Sequence, residues 1–216
     1  MGQRRYWERQ ELDGRRRPQH PIIESYVNSK IRVIRDRIPI THNTTLLDVG
    51  CGNGYFSFQF AKICNVSAVD FSRKMLSMNP VGKKYQMCAE RLAFEDGAFD
   101  IVFCHALLHH VECIDAVVAE MRRVSKKYVV ILEPNRTNPL MFLFSAMKKE
   151  ERNATRFSLS FCSDLAERNR LDVIDAFSHG MMVPNRTPLS LLPIARLFDF
   201  KQPLGMTNVV LAKKSS

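Results

Sequence analysis

The feature that most constrains the fold is a short apolar segment that leads directly into three glycines. Residues 46–49 are followed by Gly50, Gly52 and Gly54, and apolar residues at helical spacing come next. Glycine lacks a Cβ atom, so it lets the backbone adopt positive φ angles and pass close to a ligand. The free N–H groups at the start of the next helix would then point toward that ligand. The pattern predicts a ligand site at the end of this first strand.

Short apolar runs alternate with amphipathic stretches along most of the chain. Strands are predicted at 45–49, 66–70, 84–88, 100–104, 128–132, 171–177 and 208–212. Helices are predicted at 24–37, 55–63, 72–78, 113–123, 139–147, 163–170 and 188–198. Strands separated by helices in this way are typical of βαβ units and a parallel sheet. The sequence therefore indicates an α/β protein whose strands are covered on both faces.

Two carboxylates accompany the glycine turn. Asp48 stands two residues before the first glycine, where it disfavours the pyrophosphate of a dinucleotide and favours a cation. The glycine spacing, GxGxG, also differs from the GxGxxG of NAD-binding folds. Asp70 ends the second predicted strand, where a carboxylate can accept hydrogen bonds from both hydroxyls of a ribose. By itself Asp70 could equally serve as a favourable charge at the start of the following helix.

With these residues in order, the sequence resembles the class I S-adenosylmethionine (SAM)-dependent methyltransferases, and most closely the small type 11 domains. Four ordered segments carry the resemblance, at 46–54, 68–72, 89–100 and 101–110. The resemblance implies a Rossmann-like, doubly wound fold with a mostly parallel seven-stranded sheet in the order 3-2-1-4-5-7-6, an antiparallel last strand and helices on both faces. It also implies a methyltransferase domain over residues 41–216, with a lid-like insertion at about 136–165.

The resemblance implies SAM as the cofactor, with S-adenosylhomocysteine as the product. Asp48 would lie near the amino group of SAM, Asp70 would hold the ribose hydroxyls, and Phe71 would pack on adenine. The implied cofactor-binding residues are Asp48, Gly50, Cys51, Gly52, Gly54, Asp70, Phe71, Cys88, Ala89, Glu90 and Cys104. Cys88 departs from the family pattern, because many relatives carry an acidic residue there that accepts from the adenine amino group. A thiol is a poor acceptor, so either cofactor affinity is lower or a neighbouring group or water replaces the contact.

Histidines and polar residues beyond the fourth and fifth strands are the candidates for handling the substrate. His105 and His109 could act as general bases if the acceptor must lose a proton, or they could only pack within the loop. Asn135 and Arg136 follow the fifth strand and could contact a polar or anionic substrate, or merely form a proline-containing turn. His20 could close over the site from the N-terminal arm. The six cysteines include no CxxC pair, so no metal site is predicted.

Charge narrows the possible partners. The chain has a formal net charge of +10, and residues 1–40, a basic N-terminal arm and helix, hold ten basic and five acidic side chains. Such a surface favours anionic partners. Apolar segments at 139–144 and 191–198 lie in the region that relatives use as a substrate lid. Together these features predict a small-molecule acceptor that is anionic or lipid-like, with the accepting atom and the oligomeric state left open.

Two further functions remain as alternatives. An RNA methyltransferase would suit the charge, but the residues after the fourth strand, 104–107, lack the Asn/Asp-Pro-Pro-aromatic motif, and no Pro-Cys dipeptide occurs. A SAM-binding regulatory partner without catalysis is favoured only by Cys88. Cysteines within apolar runs and the lack of an apolar leader predict a cytoplasmic protein. No apolar run is long enough to predict a transmembrane helix.

Overall fold

The computed structural model describes residues 16–215, and its centre is a seven-stranded sheet. The part of the predicted basic arm at 1–15 lies outside the described residues. The strands are β1 (Thr45–Val49), β2 (Asn65–Asp70), β3 (Lys84–Gln86), β4 (Phe99–His105), β5 (Ser125–Pro134), β6 (Leu171–His179) and β7 (Thr207–Lys214). The α-helices are α1 (Pro21–Arg35), α2 (Tyr55–Phe60), α3 (Arg73–Met78), α4 (Ile114–Val124), α5 (Pro139–Met147), α6 (Leu159–Arg168) and α7 (Leu192–Leu197). Short 3-10 helices span Leu108–His110, Lys149–Arg156 and Leu189–Leu191.

The strand order is β3-β2-β1-β4-β5-β7-β6. The strands β3, β2, β1, β4 and β5 pair in parallel, and β7 pairs antiparallel with both β5 and β6. The predicted fold, strand order and antiparallel last strand are therefore confirmed. The carboxyl ends of β1, β2 and β4 meet at one edge of the sheet, where an open α/β fold places its ligand.

Several predicted element ends were wrong, and in two helices a capping residue sets the observed start. Helix α1 begins at Pro21 rather than residue 24, because the side chain of His20 accepts from Ile22 N at 3.2 Å and proline suits the first helical turn. Helix α6 begins four residues before the predicted 163–170 helix, because Ser158 caps it through Phe161 N. The predicted helix at 188–198 is broken into a 3-10 turn and α7. The third strand ends at Gln86, two residues before the predicted end at residue 88.

The sheet separates two apolar cores. On one face, α1 and α2 pack on the side chains of Ile101 and Phe103 from β4. On the other face, α4 and α6 pack on Val102 and Cys104 of the same strand. Successive side chains of a strand point to opposite faces, so β4 supplies both cores in turn. Among the residues that the structure describes, no helix is both long enough and apolar enough to cross a lipid bilayer.

Phe103 tests the importance of the α1/α2 core. Its ring is fully buried, with ring centroids 4.7 Å from Phe56 and 5.2 Å from Phe60. Phe103→Ala should lower the free energy of unfolding by about 3–5 kcal/mol, measured by urea denaturation. The control Ile174→Ala, at a position on β6 that is 43% exposed, should cost less than about 1 kcal/mol. Equal losses in the two variants would contradict this assignment of the core.

Candidate functional site

A cavity of about 920 Å³ opens at the carboxyl ends of the central strands. It collects most of the residues predicted for the site. The predicted residues that line it are Asp48, Gly50, Cys51, Gly52, Asp70, Phe71, Cys88, Ala89, Glu90, His105 and His109. The glycine turn and the histidine loop after β4 thus face one shared space, large enough for a cofactor and a small acceptor.

The glycine turn forms the floor of the cavity. Gly50 and Gly54 have φ angles of +69° and +88°, which side chains other than glycine rarely adopt. A Cβ atom on Gly50 would lie 2.6 Å from Leu107 Cδ1, and one on Gly54 would lie 2.5 Å from Asn79 Oδ1. Gly54 therefore packs against Asn79 as the cap of α2 and does not itself line the cavity.

Asp48 is a carboxylate held in an unfavourable environment. It is 2% exposed, and its Oδ2 accepts from the Ser57 hydroxyl at 2.5 Å. Asn79 donates in turn to Ser57. The pKa of Asp48 is raised to about 7, mainly by burial; the Ser57 hydrogen bond opposes the rise and the nearby Asp70 adds to it. A cation beside Asp48 would favour its charged form, so the side chain suits a positively charged ligand.

Asp70 is anchored by two backbone groups. Its Oδ2 accepts from Gly52 N and its Oδ1 accepts from Ser72 N, each at 2.8 Å. The bond to Ser72 N lies at the start of α3, so Asp70 does have the role at a helix start that the sequence offered as an alternative. Asp70 also lines the cavity. A carboxylate held rigidly in this way can still accept hydrogen bonds through its remaining lone pairs.

Glu90 lies directly beside Cys88 in the cavity wall. The Cys88 thiol donates to Glu90 Oε2 at 2.5 Å. The thiol lacks the acceptor capacity of the acidic residue that the resemblance implies at this position. A carboxylate, that of Glu90, nevertheless lies two residues further along the chain in the same part of the wall.

His105 is positioned by the N-terminal helix. Its Nε2 lies 2.8 Å from the hydroxyl of Tyr26 on α1, and that hydroxyl lies 3.1 Å from Thr207 Oγ1 on β7. The ring also packs on Phe56 with centroids 4.7 Å apart. Burial raises the pKa of Tyr26, which keeps its hydroxyl neutral. Next to His105, Ala106 has a φ angle of +51°, a strained conformation of the kind found at functional sites.

His109 bridges two carboxylates. Its Nδ1 lies 2.5 Å from Glu133 Oε2 and its Nε2 lies 3.1 Å from Glu151 Oε2. Burial opposes protonation of the ring, but the two glutamates outweigh it and raise the pKa of His109 to about 9. His109, His110 and Glu151 also offer three donor atoms within 4.8 Å of one another, a set able to hold a divalent cation. Because His109 contacts both carboxylates at hydrogen-bond distance, a proton on its ring satisfies the same charges.

Besides Gly54, four predicted residues lie away from the cavity. Cys104 is fully buried in the α4/α6 core, because alternation along β4 turns its side chain away from the face that His105 occupies. His20 caps α1. Asn135 is buried and donates to Gly205 O at 2.8 Å, so it braces a turn. The guanidinium of Arg136 lies 3.4 Å from Thr155 O at the surface.

Several residues of the wall were not predicted from the sequence. Tyr26 lies within the predicted helix at 24–37, and its contact with His105 joins positions 79 residues apart. Glu151 comes from the 3-10 helix after α5, for which no element was predicted. A loop with Met182, Val183 and Pro184 completes the wall. No local sequence signal identified these residues, because only the tertiary fold brings them to the site.

Comparison with known proteins defines the class. A family model described as a methyltransferase domain matches residues 47–132. A SAM-dependent methyltransferase from Thermotoga maritima, described as a possible histamine N-methyltransferase, shares the fold with a TM-score of 0.70 at 18% identity, over 90% of this chain and 92% of that one. Residues 47–132 thus match a methyltransferase domain, and the chain shares the fold of a SAM-dependent methyltransferase.

Curated relatives match this chain over part of their length. Malonyl-[acyl-carrier protein] O-methyltransferase of Buchnera aphidicola is 31% identical over 99 residues, which cover 44% of this chain and 40% of that protein. Ubiquinone biosynthesis O-methyltransferase of Pseudomonas paraeruginosa is 31% identical over 157 residues, which cover 68% of this chain and 64% of that protein. The chain spans about half the length of the first curated relatives that it matches.

Protonated His109 should make stability depend on pH. A folded-state pKa near 9, above the ordinary 6.5, contributes stability that is fully present below pH 6.5 and is lost as the pH rises through 9. Between about pH 7 and about pH 9.5, the free energy of unfolding of the unaltered protein should fall by roughly 2 kcal/mol more than that of His109→Gln, measured by urea denaturation. The exposed His42→Gln should retain the full pH dependence. Parallel pH profiles for His109→Gln and the unaltered protein would show that the ring is neutral.

Proposed function

We propose that this protein is an enzyme that transfers a methyl group from SAM to a small apolar or amphiphilic acceptor. The observation that carries the proposal is the placement of Asp48 and Asp70 beside the glycine turn, in one cavity with His105. Carboxylates at this place suit a ligand with an ammonium, a sulfonium and a ribose. They do not suit a pyrophosphate.

The residues of the cavity fit SAM along its length. SAM supplies a methyl group that its positive sulfonium has already activated. Asp48 would balance the positive charge at the methionine end, Asp70 would accept from the ribose hydroxyls, and Phe71 would pack on the adenine. Glu90, 2.5 Å from Cys88, would take over the acceptor role at the adenine amino group. The protein mainly has to align the two reactants and exclude water.

His105 is the proposed general base for an acceptor that must lose a proton. With Tyr26 accepting from Nε2–H and donating to Thr207, the other ring nitrogen would take the proton. His109 is assigned a positioning role instead. It is 1% exposed and its ring contacts Glu133 and Glu151, so it holds the loop that carries His105.

The far wall of the cavity indicates the acceptor. Met141, Phe144 and Met182 offer apolar surface, while Lys148 and Arg186 add positive charge beside it. An acceptor with an apolar body and a polar or anionic head would match both. The relatives named above are O-methyltransferases, which supports oxygen as the accepting atom. The segment 136–165 contributes several of these wall residues and is proposed to act as a lid. The six free cysteines support a cytoplasmic location.

Two experiments test the proposal. The first is calorimetric titration of the protein with SAM and with S-adenosylhomocysteine, and the second is an assay for transfer of labelled methyl to phenolic and carboxylic amphiphiles. Asp70→Ala should weaken binding of both ligands by roughly a hundredfold, because two hydrogen bonds to a charged group are lost. The control Asp164→Ala, at an exposed position, should change the affinity for neither ligand.

His105→Gln should keep SAM affinity within about twofold while transfer to a hydroxyl falls by about 10²-fold or more. Absence of SAM binding by a folded protein would contradict the proposal, and binding without any transfer would favour a non-catalytic role.

The raised pKa of Asp48 predicts a pH-dependent affinity. Below about pH 7 the side chain is mostly neutral, so binding the cationic ligand requires loss of a proton. Between about pH 7 and about pH 5.5, where the ligand's amino group stays protonated, SAM affinity should fall roughly tenfold, with proton release visible by calorimetry in buffers of different ionisation enthalpy. Asp48→Asn should bind more weakly and lose the pH dependence. A steep profile in Asp48→Asn would assign the titration to another group.

A further inference from the structure

The protein exposes large apolar side chains in one region. Of thirteen such side chains that are exposed among the described residues, eleven lie at 140–147 and 189–204, so they are not scattered at random. Met147 and Leu197 are the extremes, 77% and 72% exposed. We refer to the two segments 140–147 and 189–204 together as the apolar face. A concentration of this kind marks an interaction surface.

The two segments of the apolar face meet beside the cavity mouth. The Asn138 side chain, which caps α5 just before the first segment, donates to Leu204 O at 2.5 Å, so the start of the first segment lies beside the end of the second. The Arg186 guanidinium lies 5.8 Å from the centre of the Phe144 ring. Both Arg186 and Phe144 also line the cavity. A partner bound to the apolar face would therefore lie next to the entrance of the proposed active site.

Charge around the apolar face indicates which partner fits. The surrounding segments 136–156 and 181–204 contain eight basic and three acidic residues. Of the acidic ones, Asp199 is 6% exposed and Glu151 contacts His109. The basic side chains of Lys149, Arg152 and Arg186 are exposed. Exposed leucine and phenylalanine framed by lysine and arginine are typical of surfaces that lie on anionic lipid.

We propose that the apolar face docks on an anionic membrane surface, with the cavity mouth next to the lipid. The apolar side chains would enter the boundary between head groups and acyl chains, and the basic side chains would contact anionic head groups. The evidence for docking is the composition and exposure of the apolar face, and it does not depend on the proposed function. Only the further consequence, that an amphiphilic acceptor enters the cavity from the membrane, rests on the proposed function.

Flotation with vesicles tests the docking. The full chain should float with equimolar phosphatidylglycerol and phosphatidylcholine vesicles, and much less with phosphatidylcholine alone. The double variant Leu143→Ser/Leu197→Ser should bind about tenfold more weakly, because two apolar side chains no longer enter the lipid. The matched control Ile174→Ser/Tyr85→Ser, at exposed positions away from the apolar face, should bind within twofold of the unaltered protein.

The triple variant Lys149→Gln/Arg152→Gln/Arg186→Gln tests the contribution of charge. Its affinity for the anionic vesicles should be lower by roughly tenfold or more, and raised salt should weaken binding of the unaltered protein in the same way.

Three results would overturn the proposal. The first is no vesicle binding by folded protein. The second is a dimer in light scattering that Leu143→Ser/Leu197→Ser dissociates, without vesicle binding, which would assign the apolar face to a second copy of the chain. The third is binding to RNA, but not to vesicles, that the leucine variant leaves unchanged. A SAM titration on the same preparation reports separately on the proposed function, so failure of docking and failure of cofactor binding are distinguished.

Discussion

The geometry of the site depends on one buried carboxylate, that of Glu133 at the end of β5. It is fully buried, its Oε1 accepts from the backbone N–H groups of Leu107 and Leu108, and its Oε2 contacts His109. These bonds hold the turn after β4, in which Ala106 adopts a positive φ angle. The same turn places Leu107 against Gly50, where a Cβ atom would lie 2.6 Å away. Without Glu133 as acceptor, the N–H groups of Leu107 and Leu108 would lose their partner and His109 would keep only Glu151, and polar groups away from water are costly to leave unpaired.

The parts of the site that could be predicted from the sequence are those that one continuous segment builds. The turn from β1 into α2 carries its own glycines, and Asp70 follows its strand directly, so spacing alone locates them. Residues whose role depends on the direction of a side chain could not be located in this way. Cys104 and His105 are neighbours, yet the side chain of Cys104 enters the core and that of His105 lines the cavity. The sequence alone could not show which of the two faces the cavity, because a shift of one residue in a strand exchanges its two faces. Tyr26 and Glu151 reach the wall from distant elements, which requires the packed fold.

Helix α1 belongs to the structural core and is not a separate appendage. Its apolar side chains enter the same core as α2 and β4, and Tyr26 reaches through that core to His105. Lys30 on the same helix is fully buried, 3.5 Å from Asp199 Oδ1, and burial lowers its pKa to about 8. The basic composition of residues 1–40 suggested only a surface that favours anionic partners, because counting charges cannot show which lysine is buried. Packing of α1 thus couples the position of His105 to the stability of the whole fold.

Charge is distributed unevenly between the cavity and the outer surface of this protein. The chain carries a net charge of +10, yet the cavity wall contains Asp48, Asp70, Glu90 and Glu151. Buried carboxylates in a basic protein are costly unless a cation, a proton or hydrogen-bond donors balance them. His109 balances Glu151, and Asp48 instead has its pKa raised toward neutrality. The interior therefore favours a cationic cofactor, while the basic surface around the apolar face favours an anionic partner.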